Sequence, residues 1–281
     1  MRDWTTGMSD LANKIGPFKP ITLLLLISLL SCNQEAPLPK VASIDLLLLK
    51  STSVSYGEYK VSNHVTFPTP DSISFLNTTL YPTRITQTTY EYDDQKRIVK
   101  SQGVDLDSIH STETGGGSAV TTYTYTAQTV TPHSDRYPLE PSRLNSEGYI
   151  ANGNTYDQNG HRTNGAIILN DNIIQVKSSN NLGFTSLVIY EYDLTKPNIP
   201  DPYQNLYGKP SYNLLVKETL LFTYPTGGYK EITTYTYEYD QRGLPKRRTA
   251  YSEFFEIGTS ASGNIKSPEK QVVISNFEFA R

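Results

Sequence analysis

The chain has 281 residues, with 25 Lys and Arg against 28 Asp and Glu, 21 Tyr and a single Cys. A net charge of −3 with both signs evenly mixed excludes a reader of phosphate backbones, which needs a basic stripe. The length allows one large all-β domain with a sizeable core, and one cysteine excludes a disulfide scaffold.

Ile21 to Leu30, ITLLLLISLL, is an apolar run preceded by Lys14 and Lys19 and followed by Ser31-Cys32. This is the layout of a secretory signal, with an apolar core too short to span a bilayer. Met8 is a second candidate start. Leu29-Leu30-Ser31-Cys32 looks like the lipobox of bacterial lipoproteins, which implies cleavage before Cys32 and a diacylglycerol on its sulfur. Acyl chains there, at about 0.8 kcal/mol per buried CH₂, would hold the protein on a membrane without a spanning helix. We expect residues 1–31 to be a lipoprotein signal peptide, 32–40 a lipidated tether with two prolines, and 41–281 a single all-β domain.

Val41 to Tyr59 opens with SIDLLLLK, which leaves helix and strand undecided, and continues into the alternating SVSYGEYKV. Pro68, Pro70 and Asp71 mark a loop. Arg84 to His110 reads as a hairpin or meander, Gly115-Gly-Gly117 as a turn tip, Thr121 to Thr131 as one strand, and Pro132 to Pro141 as irregular. Leu144 to Ala151 is a further candidate strand, and Asn152-Gly153, Asn159-Gly160 and Asn164-Gly165 are tight turns. Ile167 to Lys177 gives a strand pair around Asn170-Asp-Asn172, and Phe184 to Asp193 another strand. Thr195 to Asn213 holds four prolines and excludes a long regular element. Asn213 to Tyr224 fits helix or strand by pattern, and the following Pro225-Thr-Gly-Gly228 favours a hairpin. Strands over Tyr229–Asp240, Lys246–Ile257 and Gln271–Phe279 complete about twelve to fourteen, with little helix.

One phrase recurs. TTYEYDDQKR (Thr88–Arg97), TTYTYT (Thr121–Thr126), TYDQNGHR (Thr155–Arg162), IYEYD (Ile189–Asp193) and TTYTYEYDQRGLPKRR (Thr233–Arg248) repeat aromatic alternation, and most continue into Asp and a polar turn. Tyr235, Tyr237 and Tyr239 share one strand face; Thr234, Thr236, Glu238 and Asp240 share the other. Asp240-Gln-Arg-Gly243 and Asp157-Gln-Asn-Gly160 have Asp first and Gly fourth, as a type I turn prefers. Asp93-Asp-Gln-Lys96 lacks the Gly, so its turn is of another type or has a non-Gly fourth residue. The Tyr-Asp pairs lie 64, 36 and 47 residues apart. That excludes a solenoid and makes the copies successive hairpins of one long antiparallel meander, a curled open sheet or a partly closed barrel.

These hairpins resemble the YD repeat of Rhs-type surface proteins. Together with the lipobox, Gly148-Tyr-Ile and the block from Tyr190 to Glu218, the chain is similar over most of Arg84–Tyr251 to a group of Bacteroidetes lipoproteins, a domain of unknown function. That resemblance implies a porin-like curled antiparallel sheet and an outer-membrane lipoprotein, on the periplasmic face or the cell surface. It brings no catalytic residues. Asp71-Ser72-Ile73 and Asp107-Ser108-Ile109 look like short glycosylation sites of such proteins, at Ser72 and Ser108.

The candidate ligand-binding residues are the paired tyrosines, Tyr90 and Tyr92, Tyr190 and Tyr192, and Tyr235, Tyr237 and Tyr239, which can stack on sugar rings or apolar groups. Glu91/Asp93, Glu191/Asp193 and Glu238/Asp240 would build a calcium site or a glycosidase pair only if neighbouring hairpins brought them together; otherwise they are a solvated face with turn-capping Asp. His64, His110, His133 and His161 are too dispersed for zinc. No GxSxG elbow appears. The expected role is a non-enzymatic binding or carrier module for an apolar or glycan ligand or a partner protein, without cofactor, metal or nucleic acid. The alternatives are a structural surface protein or a carboxylate-based hydrolase.

Overall fold

The structure, a computed structural model, describes residues 46–58, 72–108, 118–136, 139–258 and 269–280. Cys32, the tether and the Gly115–Gly117 turn lie outside them. Among the described residues there are fourteen strands: β1 (Leu48–Gly57), β2 (Ile73–Phe75), β3 (Thr78–Tyr92), β4 (Ile98–Ser108), β5 (Ala119–Tyr125), β6 (Thr129–Ser134), β7 (Ser142–Arg143), β8 (Ala166–Leu169), β9 (Asn172–Ser179), β10 (Thr185–Pro197), β11 (Asn213–Tyr224), β12 (Gly227–Tyr239), β13 (Pro245–Ile257) and β14 (Glu269–Phe279). One short helix, α1 (Gln204–Tyr207), interrupts the loop between β10 and β11.

The sheet is wholly antiparallel and open, in the order β7-β6-β5-β4-β3-β1-β14-β13-β12-β11-β10-β9-β8, with β2 pairing to β3 off this path. The chain therefore runs outward from β1 to one edge, crosses, and meanders back from the other edge until β14 pairs with β1. Twelve inter-strand steps of about 4.8 Å would put the edges on the order of 58 Å apart in a flat sheet. The connection, residues 144–165, doubles back at two isolated bridges, Leu144 with Ile150 and Tyr156 with Arg162. What remains extended reaches only about 40 Å. The sheet must curl.

Two clusters hold it. On one face β2 and the start of β3 fold back over Val54, Tyr56, Leu80, Ile85 and Val272. On the opposite face Ile98, Val130, Ile150 and Leu206 form the second cluster, ringed by Tyr90, Tyr92, Tyr123, Tyr125 and Tyr203. Leu206 belongs to α1, so the four-proline loop is a strap that carries an apolar anchor from β10–β11 onto β3–β6.

Several strands differ from the sequence reading. The β2–β3 hairpin was not anticipated, although Leu76 and Asn77 make a tight turn at φ 45° and 61°. Thr121–Thr131 is two strands, because the Thr126 hydroxyl accepts the N–H groups of Gln128 and Thr129 and turns the chain without Gly or Pro. Pro132 then lies within β6, next to the two-residue edge strand β7, where a missing N–H is tolerated. Leu144–Ala151 contributes a bridge rather than a strand. The strand reading of Asn213–Tyr224 agrees with β11.

Candidate functional site

The recurring phrase is one structural unit with a fixed register. At Glu91/Tyr92 the pairing of β3 with β4 slips, Glu91 facing Lys100 and Tyr92 facing Ile98. β10 with β11 does the same, with Glu191 facing Lys217 and Tyr192 facing Leu215. β12 with β13 repeats it through Glu238–Arg247 and Tyr239–Pro245. Each is a bulge with one extra residue on the strand that follows the turn. Each glutamate bonds the base it faces: Lys100 to Glu91 at 2.6 Å, Lys217 to Glu191 at 2.7 Å, and Arg247 to Glu238 at 3.2 Å.

A fourth copy is split across the ends of the domain. Glu278 faces Lys50 and Phe279 faces Leu48 with the same slip, and Lys50 reaches Glu278 at 2.9 Å. The Ala280 N–H donates to the Leu47 carbonyl at 2.8 Å, as the Asp240 N–H does to that of Leu244. FEFA at the end of β14 and LLLLK at the start of β1 are thus the two halves of one hairpin lacking its turn. Sequence reading missed it because the halves lie more than two hundred positions apart and Phe stands where Tyr recurs.

The tyrosines follow an equally regular rule. In the pairs β1/β3, β4/β5, β9/β10 and β11/β12 the last bridges are Lys50 with Thr89, Lys100 with Thr122, Gln175 with Ile189, and Lys217 with Thr234. Beyond them the ladder opens and carbonyls lose their strand partners. Three residues past each bridge a tyrosine hydroxyl donates to the carbonyl two residues before the partner. Tyr92 takes that of Leu48 at 2.7 Å, Tyr125 that of Ile98 at 2.8 Å, Tyr192 that of Ile173 at 2.7 Å, and Tyr237 that of Leu215 at 2.6 Å. A buried carbonyl without a donor is costly, so the hydroxyl is what lets these strands splay.

The carboxylates after the tyrosines shape turns. The Asp93 carboxylate accepts the N–H groups of Gln95 and Arg97, and that of Asp240 those of Arg242 and Leu244. Asp157 does the same in the connection, where its phrase forms an isolated bridge rather than a hairpin of the sheet. Asn145 and Asn180 build the same turn with their side-chain oxygens. The fourth residue has positive φ each time, Gly148, Gly160, Gly183 and Gly243 in four copies and Lys96 at 61° in the fifth. Asp240 sits below its ordinary carboxyl value, first through its bond from the Leu244 N–H and further through Arg242. For Asp93 the largest single effect is burial, which opposes ionisation, but the bonds from Arg97 and Gln95 together outweigh it. Asp193 is lowered by its bonds from Thr195.

All seven candidate tyrosines lie on the same sheet face and in one transverse band. Tyr90 meets Tyr203 of the strap edge-on at 6.2 Å. Tyr190 lies against Tyr192, and Tyr237 against Tyr239. Arg248 lies over Tyr235, and Lys196 over Tyr239 at 5.1 Å. Burial pushes the phenols of Tyr190 and Tyr237 up to about 12, so none is an anion or a base near neutral pH. Ser72 is exposed just before β2, and Ser108 ends β4 opposite Arg84. Among the described residues no three of His, Cys, Asp and Glu converge as metal ligands. His161 is buried in the connection, with Nδ1 3.1 Å from the Lys209 carbonyl and Nε2 3.6 Å from Asp171, which ties the connection to the strap.

The band also holds Glu218, raised by burial and then by Glu231. It was not singled out from the sequence, because in NLLVKETLLFTY the apolar residues occupy both faces. Beside the strap lies a cavity of about 260 Å³. Its walls are Tyr123 of β5, Val130 and Pro132 of β6, Leu206 and Tyr207 of α1, and Ile150; Leu139, Glu140 and Ser142 close the β7 side.

No family model matches the sequence, and no curated protein does. One solved structure that aligns with the chain is described as a porin-like protein from Bacteroides uniformis ATCC 8492, determined at 2.32 Å. It is 14% identical, with a TM-score of 0.44, over 83% of this chain and 98% of that one.

Proposed function

We propose that the chain is a lipid-anchored protein of the bacterial outer membrane, held through Cys32, that binds a ligand on the aromatic face of its sheet and catalyses no reaction. One observation supports this reading above the others: the residues that suggested chemistry are occupied by architecture. Three recurring glutamates face a base across a bulge, Asp93 and Asp240 cap turns while Asp193 holds Thr195 within β10, and four tyrosine hydroxyls bond carbonyls. A hydrolase needs carboxylates free to meet a substrate, and these are engaged. The cavity beside the strap remains as a place for a ligand, walled by apolar and aromatic side chains with a few polar groups. Assembly through sheet edges is disfavoured, since the described edge strands β7 and β8 have two and four residues.

The test uses the full chain purified natively from membranes and extracted for mass spectrometry. A stoichiometric small molecule in the extract, and a diacylglycerol on Cys32 that Cys32→Ser removes together with membrane attachment, are the expected results. A clean extract would contradict the ligand, and membrane-bound Cys32→Ser protein would contradict the anchor. Unchanged hydrolytic activity on a glycoside panel after Asp193→Asn and Asp240→Asn would remove the carboxylate hydrolase.

A further inference from the structure

We infer that the cavity between the strap and β5–β7 is a subsite for one neutral sugar ring, an uncharged pyranose; the inference rests on the ligand-binding reading above and names its ligand class. Its volume of about 260 Å³ equals roughly nine waters at about 30 Å³ each, room for a single substituted ring. Val130, Ile150 and Leu206 form a buried apolar floor. Two tyrosines flank it. Tyr123 meets Tyr203 of the strap edge-on at 6.3 Å and offers its ring. Tyr207 is 47% exposed and gives the mouth an aromatic ledge, the surface on which the C–H face of a sugar stacks.

The polar groups decide between ligand classes. Glu140 and Ser142 are the polar side chains of the β7 side, a carboxylate that accepts two hydrogen bonds and a hydroxyl that donates and accepts. They suit vicinal ring hydroxyls. Among the described residues no Lys, Arg or His lines the cavity, so a phosphorylated or acidic sugar would bring an anion beside Glu140 without a counter-charge from them. An ammonium ligand fits less well, because Glu140 is exposed and a solvated carboxylate attracts a cation weakly. An acyl chain would strand Glu140 and Ser142 against hydrocarbon.

The full chain in a polyoxyethylene detergent, titrated calorimetrically with methyl hexopyranosides, tetramethylammonium and decanoate, tests this. At least one methyl hexopyranoside is expected to saturate, and Tyr207→Ala and Glu140→Gln each to weaken it about tenfold or more, while Lys230→Ala, at an exposed position of β12, leaves it unchanged. Circular dichroism and melting temperature confirm that the variants fold. Saturation by tetramethylammonium or decanoate alone overturns the sugar subsite and leaves the ligand-binding reading standing. Hexopyranoside binding that survives both cavity substitutions places the site elsewhere and overturns the inference. If no probe binds, the subsite is overturned; a native extract that still carries a molecule then keeps the broader reading, and a clean extract removes both.

Discussion

Tyr237 shows what the aromatic positions contribute one residue at a time. Its ring lies on the packed face, and its hydroxyl donates to the Leu215 carbonyl at 2.6 Å where the β11–β12 ladder has already opened. Tyr237→Phe keeps the ring and strips the carbonyl of its donor, so denaturant unfolding is expected to show a loss of about 1 kcal/mol. Phe279 occupies the same slot in β14, three residues past the last bridge of Asn276 with Arg247 and opposite Pro245 two residues before it. Phe279→Tyr is therefore expected to raise stability, by at most about 1 kcal/mol. Lys96 holds the position that Gly fills in four equivalent turns, at φ 61°. Lys96→Gly removes that strain and should stabilise by about 1 kcal/mol on the same measurement. The tyrosine alternation was visible in the sequence, but the carbonyls it serves were not, since each belongs to a neighbouring strand.

The turns are legible to the extent that their own residues specify them. Asp157 and Asp240 head four-residue turns with Gly last, as their sequences indicate, and Asn145 and Asn180 perform the same task without the recurring phrase that drew attention to the others. That equivalence gives a pH test. The Asp240 carboxyl is held below its ordinary 3.8 in the folded chain. A lowered carboxyl contributes stability that is present above the unfolded value and is lost as pH falls through the folded one. Asp240→Asn retains the acceptor oxygen and removes the charge, so unfolding followed from about pH 6 down to about pH 2.5 should show a shallower acid loss than the wild type. A variant with the same acid profile would mean that the Asp240 carboxylate is not a source of it. The strap is the element least legible in sequence. Its four prolines excluded regular structure, which agrees with a single four-residue helix. That Leu206 anchors it, at 1% exposure among Ile98, Val130 and Ile150, depends on strands far away in the chain. Leu206→Ala is expected to cost about 2–5 kcal/mol and to release the strap, seen as faster amide exchange at Ile150, whose N–H donates to the Leu206 carbonyl.

For the molecule as a whole, the fold class followed from period-two alternation and closely spaced turns, because these are local signals. The order of the sheet did not. A meander reading places β1 at an edge, whereas it lies between β3 and β14, since the ends of the domain complete a fourth bulged hairpin. Curling follows from that order, as one short connection must join the two edges. The candidate site was half legible: the aromatic band could be read off, while the cavity is built from β5, β6, β7, the connection and the strap, five stretches with no shared motif.

The central claim is that one hairpin unit, written four times, joins the two halves of this open sheet through its own chain ends. It is tested most directly by a circular permutant of residues 47–280, with Ala280→Asp joined to Leu47 through Gln-Arg-Gly and new ends opened between Arg242 and Gly243. If Ala280 and Leu47 stand as Asp240 and Leu244 do, the permutant should fold and its denaturant unfolding should match the parent within about 1 kcal/mol, as permutation at an exposed turn allows. A permutant that does not fold, or that loses several kcal/mol, would contradict the equivalence of the split hairpin and its three intact copies.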